Sequence, residues 1–169
     1  AGLMAAMTLG GCGFKPLYGE GGAVGKASIQ GTLGQVSINP IRTRTGQILR
    51  NYLIDRMNPQ GQPGGGASYN LVIALSLRKQ ELGIRRDETA TRANLILTAA
   101  FVMTENSSGA VVFRGVERSV TSYNILSNEF ATLSAERDAR SRGAEQLADH
   151  ITTRVALYFN RTKRPVAGK

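Results

Sequence analysis

Tryptophan is absent from this 169-residue sequence, cysteine and histidine occur once each, and proline five times. A lone thiol excludes a disulfide-stapled scaffold, a Cys/His metal cluster and a cysteine-pair redox centre. His150 is the sole imidazole, which leaves little for general acid–base chemistry near neutral pH. Acidic residues are scarce as well: 12 stand against 21 Lys plus Arg, for a formal charge of +9. That balance calls for an anionic partner, whether nucleic acid, an acidic lipid surface or an acidic protein. The length suits one ordinary globular domain with a real core.

Residues 1–11, AGLMAAMTLGG, carry no charge and lead straight into Cys12. The stretch is far too short to span a bilayer as a helix, but it matches the apolar region of a secretory signal. Its basic upstream region is missing, so the sequence is expected to begin inside a precursor. Leu9-Gly10-Gly11-Cys12 resembles the bacterial lipobox, in which the Cys thiol is acylated and becomes the new first residue. Only a thiolate is a good enough nucleophile for that thioether. Several acyl chains hold firmly where one does not, at about 0.8 kcal/mol per buried methylene. The competing reading makes Cys12 a buried core thiol behind an ordinary apolar segment. Gly13 follows, with no Asp at the position that retains many lipoproteins in the inner membrane, and this points to the outer membrane.

Residues 12–31 are rich in Gly and read as an acylated tether, and residues 32–160 as a single domain. Leu33, Val36, Ile38 and Ile41 suggest a short strand within 32–41, which Pro40 either ends or confines to a sheet edge. A helix over 45–57 follows, with Thr45 as N-cap and Ile48, Leu49, Tyr52, Leu53 and Met57 on one face. Asn58-Pro59 closes it, and a loop runs to Ser68. Tyr69 to Leu77 alternates apolar and polar residues, and so does Ala93 to Met103. Asn106-Ser107-Ser108-Gly109 marks a hairpin into a third strand, Val111 to Tyr123. The last element, from Asn128 to about Phe159, is a long helix capped by Ser127. Phe130, Leu133, Ala144, Leu147, Ile151, Val155 and Tyr158 trace its apolar stripe, and the charged middle from Glu136 to Glu145, which carries Gly143, suggests a bend or partial exposure there. Residues 161–169 form a basic tail. The predicted fold class is α+β: a two-layer sandwich of order β-α-β-β-β-α, with a mostly antiparallel four-stranded sheet covered by two helices.

No catalytic set assembles. Gly64-Gly65-Gly66 lacks the Lys-Ser/Thr of a phosphate loop, and His150 lies on an amphipathic helix beside its core stripe, so no Ser, His and acid trio is expected. The arginines carry more information. Arg42 and Arg44 make an anion-attracting corner near the first helix, and Arg85, Arg86 and Arg92 cluster around a strand turn. Arg118, Arg137, Arg140, Arg142 and Arg154 are weaker candidates. Those of the last helix are partly balanced by Glu136, Asp138, Glu145 and Asp149.

The opening Gly11-Cys12-Gly13-Phe14-Lys15-Pro16-Leu17-Tyr18 resembles that of the lipopolysaccharide-assembly lipoprotein family LptE in its alphaproteobacterial form. Arg44-Thr45-Gly46-Gln47, Leu49-Arg50-Asn51, Ser122-Tyr123-Asn124 and the closing Ala148, Ile151, Arg154, Tyr158 and Phe159 extend the likeness over nearly the whole mature chain. The resemblance implies a lipid-anchored outer-membrane protein on the periplasmic side. It would plug the LptD β-barrel as a heterodimer and help pass lipopolysaccharide outward, with no enzymatic activity and no cofactor. Arg42, Arg44, Arg85, Arg86 and Arg92 are then the expected contacts to lipopolysaccharide or barrel, with Cys12 the lipidation site. Two rival readings remain. One is a different periplasmic lipoprotein that serves as adaptor of an envelope complex. The other is a nucleic-acid-binding module. The secretion-like start and the lack of an exposed aromatic pair for base stacking argue against a nucleic-acid partner.

Overall fold

A computed structural model describes residues 29–61, 63, 66–84 and 90–162. Cys12, Arg85 and Arg86 lie outside them, as do the expected signal remnant, tether residues 12–28 and tail residues 163–169. The elements are β1 (Val36–Ile38), α1 (Arg44–Met57), β2 (Tyr69–Ile84), β3 (Ala90–Glu105), β4 (Val111–Asn124) and α2 (Glu129–Thr162). Their order is the predicted β-α-β-β-β-α.

The four strands form one sheet in chain order, β1-β2-β3-β4. β2, β3 and β4 pair antiparallel, whereas β1 lies parallel to β2 because α1 carries the chain back to the same end of the sheet. β1 is far shorter than the strand expected over 32–41. Residues 29–33 take a helical turn instead, which reaches into the expected tether and buries Leu33, and the strand ends before Pro40.

Strict alternation in β3 buries Ala93, Leu95, Leu97, Ala99, Phe101 and Met103 beneath the helices. Leu49, Leu53 and Met57 of α1 and Leu147, Ile151, Val155 and Phe159 of α2 close over Leu97, Ala99, Phe101 and Met103. Helix starts differ slightly from expectation. Thr43, not Thr45, caps α1, its hydroxyl accepting from Gly46 N at 3.0 Å. Asn128, not Ser127, caps α2, with Oδ1 accepting from Ala131 N at 3.1 Å. At the other end of α1, Asn58 Nδ2 donates to the Val36 carbonyl at 2.8 Å and ties the helix to β1.

α2 runs as one continuous helix through Gly143, and of the bend or partial exposure expected around it the charged residues Arg137, Asp138, Arg142 and Glu145 show the exposure. The glycine instead permits close approach: a Cβ there would stand 2.6 Å from Leu97 Cδ1. The sheet holds the helix at this point by two hydroxyls. Ser119 Oγ donates to Gly143 O at 2.8 Å and Thr121 Oγ1 to Ala139 O at 2.9 Å. With 34 residues against 14, α2 extends well past α1. Its first turns therefore leave the expected stripe uncovered, with Phe130 75% and Leu133 43% exposed.

Candidate functional site

Because β2, β3 and β4 alternate, the residues between the buried ones all point to the face that carries no helix. Val72, Ala74, Ser76 and Arg78 of β2 stand beside Val102, Ala100, Thr98 and Ile96 of β3. Arg114, Val116, Arg118 and Val120 of β4 stand beside Val102, Ala100, Thr98 and Ile96 in turn. The centre of this face is apolar and open: Val116 is 59%, Val120 47% and Val72 46% exposed. Its charged residues among those described are Arg78, Arg92, Arg114 and Arg118, with no acid between them. None of the four takes part in an ion pair.

The helix side is arranged oppositely. There acids and bases neutralise one another: Arg56 meets Asp149 and Glu145, Arg140 meets Glu136, and Arg142 meets Asp138. Glu117, at the inward-facing edge of β4, accepts from Arg154 at 2.6 Å with His150 3.9 Å away. Tyr123 Oη donates to Glu136 Oε2 at 3.0 Å. Burial raises the Tyr123 phenol above its ordinary value, and it opposes ionisation of Glu136 too. For Glu136 the hydrogen bonds from Arg140 and Tyr123 prevail and hold the carboxyl below its usual range. Paired charge on one side leaves most of the positive excess of the described body on the bare sheet face.

Planar guanidinium groups around an apolar strip suit an amphiphile or a surface bearing phosphate or carboxylate groups. One cleft lies elsewhere. It is an open recess of about 580 Å³ lined by Gln35, Ser68, Tyr69, Glu105 and Asn106, and its charged member is a carboxylate. Among the described residues no group of three or more His, Cys, Asp and Glu could hold a metal, and no helix is long and apolar enough to cross a membrane.

Of the arginines expected at the site, Arg92 is exposed on the open face at the start of β3. Arg42 and Arg44 are also exposed, but they belong to the approach and first turn of α1, on the helix side. The structure thus separates Arg92 from Arg42 and Arg44. Arg78 and Arg114 were not singled out from sequence, and Arg118 was ranked low. The signal that finds them is the two-residue period of β2 and β4, combined with the register that sets those strands against β3.

A family model described as LptE, lipopolysaccharide-assembly, matches residues 33–155. A protein of Rickettsia prowazekii (strain Madrid E) is 28% identical over 151 residues, covering 89% of this chain and 90% of the relative. A crystal structure of a lipoprotein from Caulobacter crescentus CB15 superposes with a TM-score of 0.67 at 22% identity, over 80% of this chain and 98% of that one. The rare lipoprotein B from Shewanella oneidensis gives a TM-score of 0.59 at 16% identity, over 76% of this chain and 97% of the other. At these identities the solved structures speak for the fold, and they share the two-layer α+β arrangement.

Proposed function

This chain belongs to the LptE lipopolysaccharide-assembly family, and from that premise we propose that it is an acylated outer-membrane lipoprotein that plugs an LptD-type β-barrel and meets lipopolysaccharide with its open sheet face. One observation carries the reading: every charged residue described on that face is an arginine, and the arginines surround exposed valines. Lipopolysaccharide joins phosphates and sugar acids to acyl chains, so such a face offers guanidinium forks to the one and apolar surface to the other. Arg85 and Arg86, seven and six residues before Arg92 in sequence, are offered as contacts to the same ligand. A barrel lumen is polar, and a plug for it needs an amphipathic exterior rather than a continuous apolar belt. Arg42 and Arg44, on the other side of the sheet, suit acidic groups of the barrel wall. The protein works by binding and placement and performs no covalent chemistry of its own. Acyl chains on Cys12 hold it at the periplasmic side of the membrane.

The test of the face is the double variant Arg114→Glu/Arg118→Glu. Binding to purified lipopolysaccharide is expected to fall at least about tenfold, a loss of roughly 1.4 kcal/mol or more, with an unchanged thermal melt. Undiminished binding overturns the assignment. Copurification with a large outer-membrane barrel tests the partner, and the intact mass of membrane-extracted protein tests cleavage before Cys12 and acylation of its thiol.

A further inference from the structure

β1 covers only the beginning of the β2 edge: Val36, Ser37 and Ile38 lie against Tyr69, Asn70 and Leu71. Past Leu71, no strand among the described residues pairs with that side of β2. Two hydrogen bonds fix which backbone groups the edge presents. Tyr69 N donates outward to Gln35 O at 3.2 Å, and Leu71 O accepts from Asn39 N at 3.0 Å. The register with β3 then runs without a bulge from Tyr69 opposite Glu105 to Leu82 opposite Arg92. Alternation therefore turns the N–H and C=O groups of Leu75, Leu77, Lys79 and Glu81 to the same outer side, where no described strand meets them.

The bare edge has a local cause. The chain leaves the sheet at Pro40, which cannot donate to a ladder, and Ile41 turns inward to 5% exposure, its carbonyl accepting from Gln47 Nε2. Among the described residues nothing replaces β1 above that point, and every side chain from Ser76 to Leu82 is exposed. An edge of this length is a ready template for pairing unless charge or covering blocks it.

Charge selects the occupant. Arg78 and Lys79 lie in the strand, and exposed Arg42 and Arg44 follow β1 into α1, whose first turn has no acidic residue. The acid of the stretch, Glu81, is engaged by Lys79 at 3.3 Å. With Lys79 and Glu81 paired, Arg78, Arg42 and Arg44 leave this side net positive, so two copies of the edge laid together would bring like charge to like. We propose that the β2 edge from Leu75 to Glu81 receives an extended acidic segment of a partner protein as an added strand. Main-chain bonds supply the affinity. Alternate side chains of the segment pack by Leu75 and Leu77 on one face and meet Arg78 on the other.

The test titrates the full chain with a synthetic peptide of alternating valine and glutamate, and with its valine–lysine counterpart. The acidic peptide is expected to shift and protect the amides of Leu75, Leu77, Lys79 and Glu81, and the basic one to do neither. Leu77→Pro deletes an outward N–H while sparing the β2–β3 bonds, and is expected to weaken binding at least about tenfold. Leu77→Thr, which keeps the N–H, retains binding. Arg78→Glu weakens it and covers the case in which the proline variant fails to fold. Equal binding of both peptides, protection confined to the β4 arginines, dimerisation of the chain alone, or indifference to both Leu77→Pro and Arg78→Glu overturns the proposal. The lipopolysaccharide reading is scored separately: Leu77→Pro should leave lipopolysaccharide binding intact, and Arg114→Glu/Arg118→Glu should leave peptide binding intact.

Discussion

Replacing Asn58 with aspartate changes one nitrogen to oxygen at the joint between α1 and β1. Asn58 is 2% exposed and Val36, whose carbonyl it holds, is fully buried. An ionised aspartate has no donor for that carbonyl and sets an anionic oxygen against it. The stranded carbonyl costs about 1–3 kcal/mol, and desolvation of the carboxylate raises the deficit to about 3–5 kcal/mol. Protonation reverses most of this, because the neutral carboxyl donates O–H to Val36 O in the same geometry. Burial raises the folded-state pKa of the new carboxyl above its unfolded value. The variant is therefore closest to wild type below the unfolded value and loses stability as pH rises through the folded one. Urea unfolding of both proteins at about pH 4.5 and about pH 7.5 reads the effect, with the deficit expected to be larger by about 2 kcal/mol at the higher pH. Asn58→Ala, which has no group to titrate, should lose about 2–3 kcal/mol at both. Equal deficits for the aspartate variant at the two pH values would refute the donor role of Asn58.

Gly143→Val places a branched side chain where even a Cβ meets Leu97 Cδ1 at 2.6 Å and Ser119 Oγ at 3.3 Å. Denaturant unfolding is expected to show a loss of about 3 kcal/mol, and an undiminished midpoint would mean that helix and sheet are not in close contact. Glu136 has its folded-state pKa depressed, because bonds from Arg140 and Tyr123 outweigh the opposing effect of burial. Its contribution is thus present above the unfolded value and lost as pH falls through the folded one. Glu136→Gln should flatten the acid limb of the stability curve, and a limb of unchanged slope would count against that bonding.

The sheet was readable because alternation is a one-dimensional signal: Leu71, Ile73, Leu95, Leu97 and Phe101 are buried as their spacing predicts. The burial of Leu49, Leu53 and Met57 in α1 was equally plain. The caps were harder. Thr43 and Thr45 are both competent by type, as are Ser127 and Asn128, and only the bond each side chain makes separates them. Leu133 and Phe130 fit an apolar helical stripe, but their burial depends on how far α1 and the sheet extend, which spacing within one helix does not encode. The same holds for the site. Arg78, Arg114 and Arg118 are far apart in sequence and share a face only once the strand register is known. Arg42 and Arg44 attract attention by adjacency, yet they stand on the other side of the sheet.

The unequal helices divide the interior. Beneath both lies the larger group of buried residues, while Ala93, Leu95, Tyr123 and Ala139 form a small second group under α2 alone. Amide exchange should therefore fall into two tiers, with the end around Tyr123 opening at a lower free energy than the end around Leu53 and Ile151. Residues 29–33 pack into the firmer end, where Gln30 Nε2 donates to Arg56 O at 3.5 Å. A pull arriving through the preceding chain would reach the rigid half first and leave the other half free to breathe.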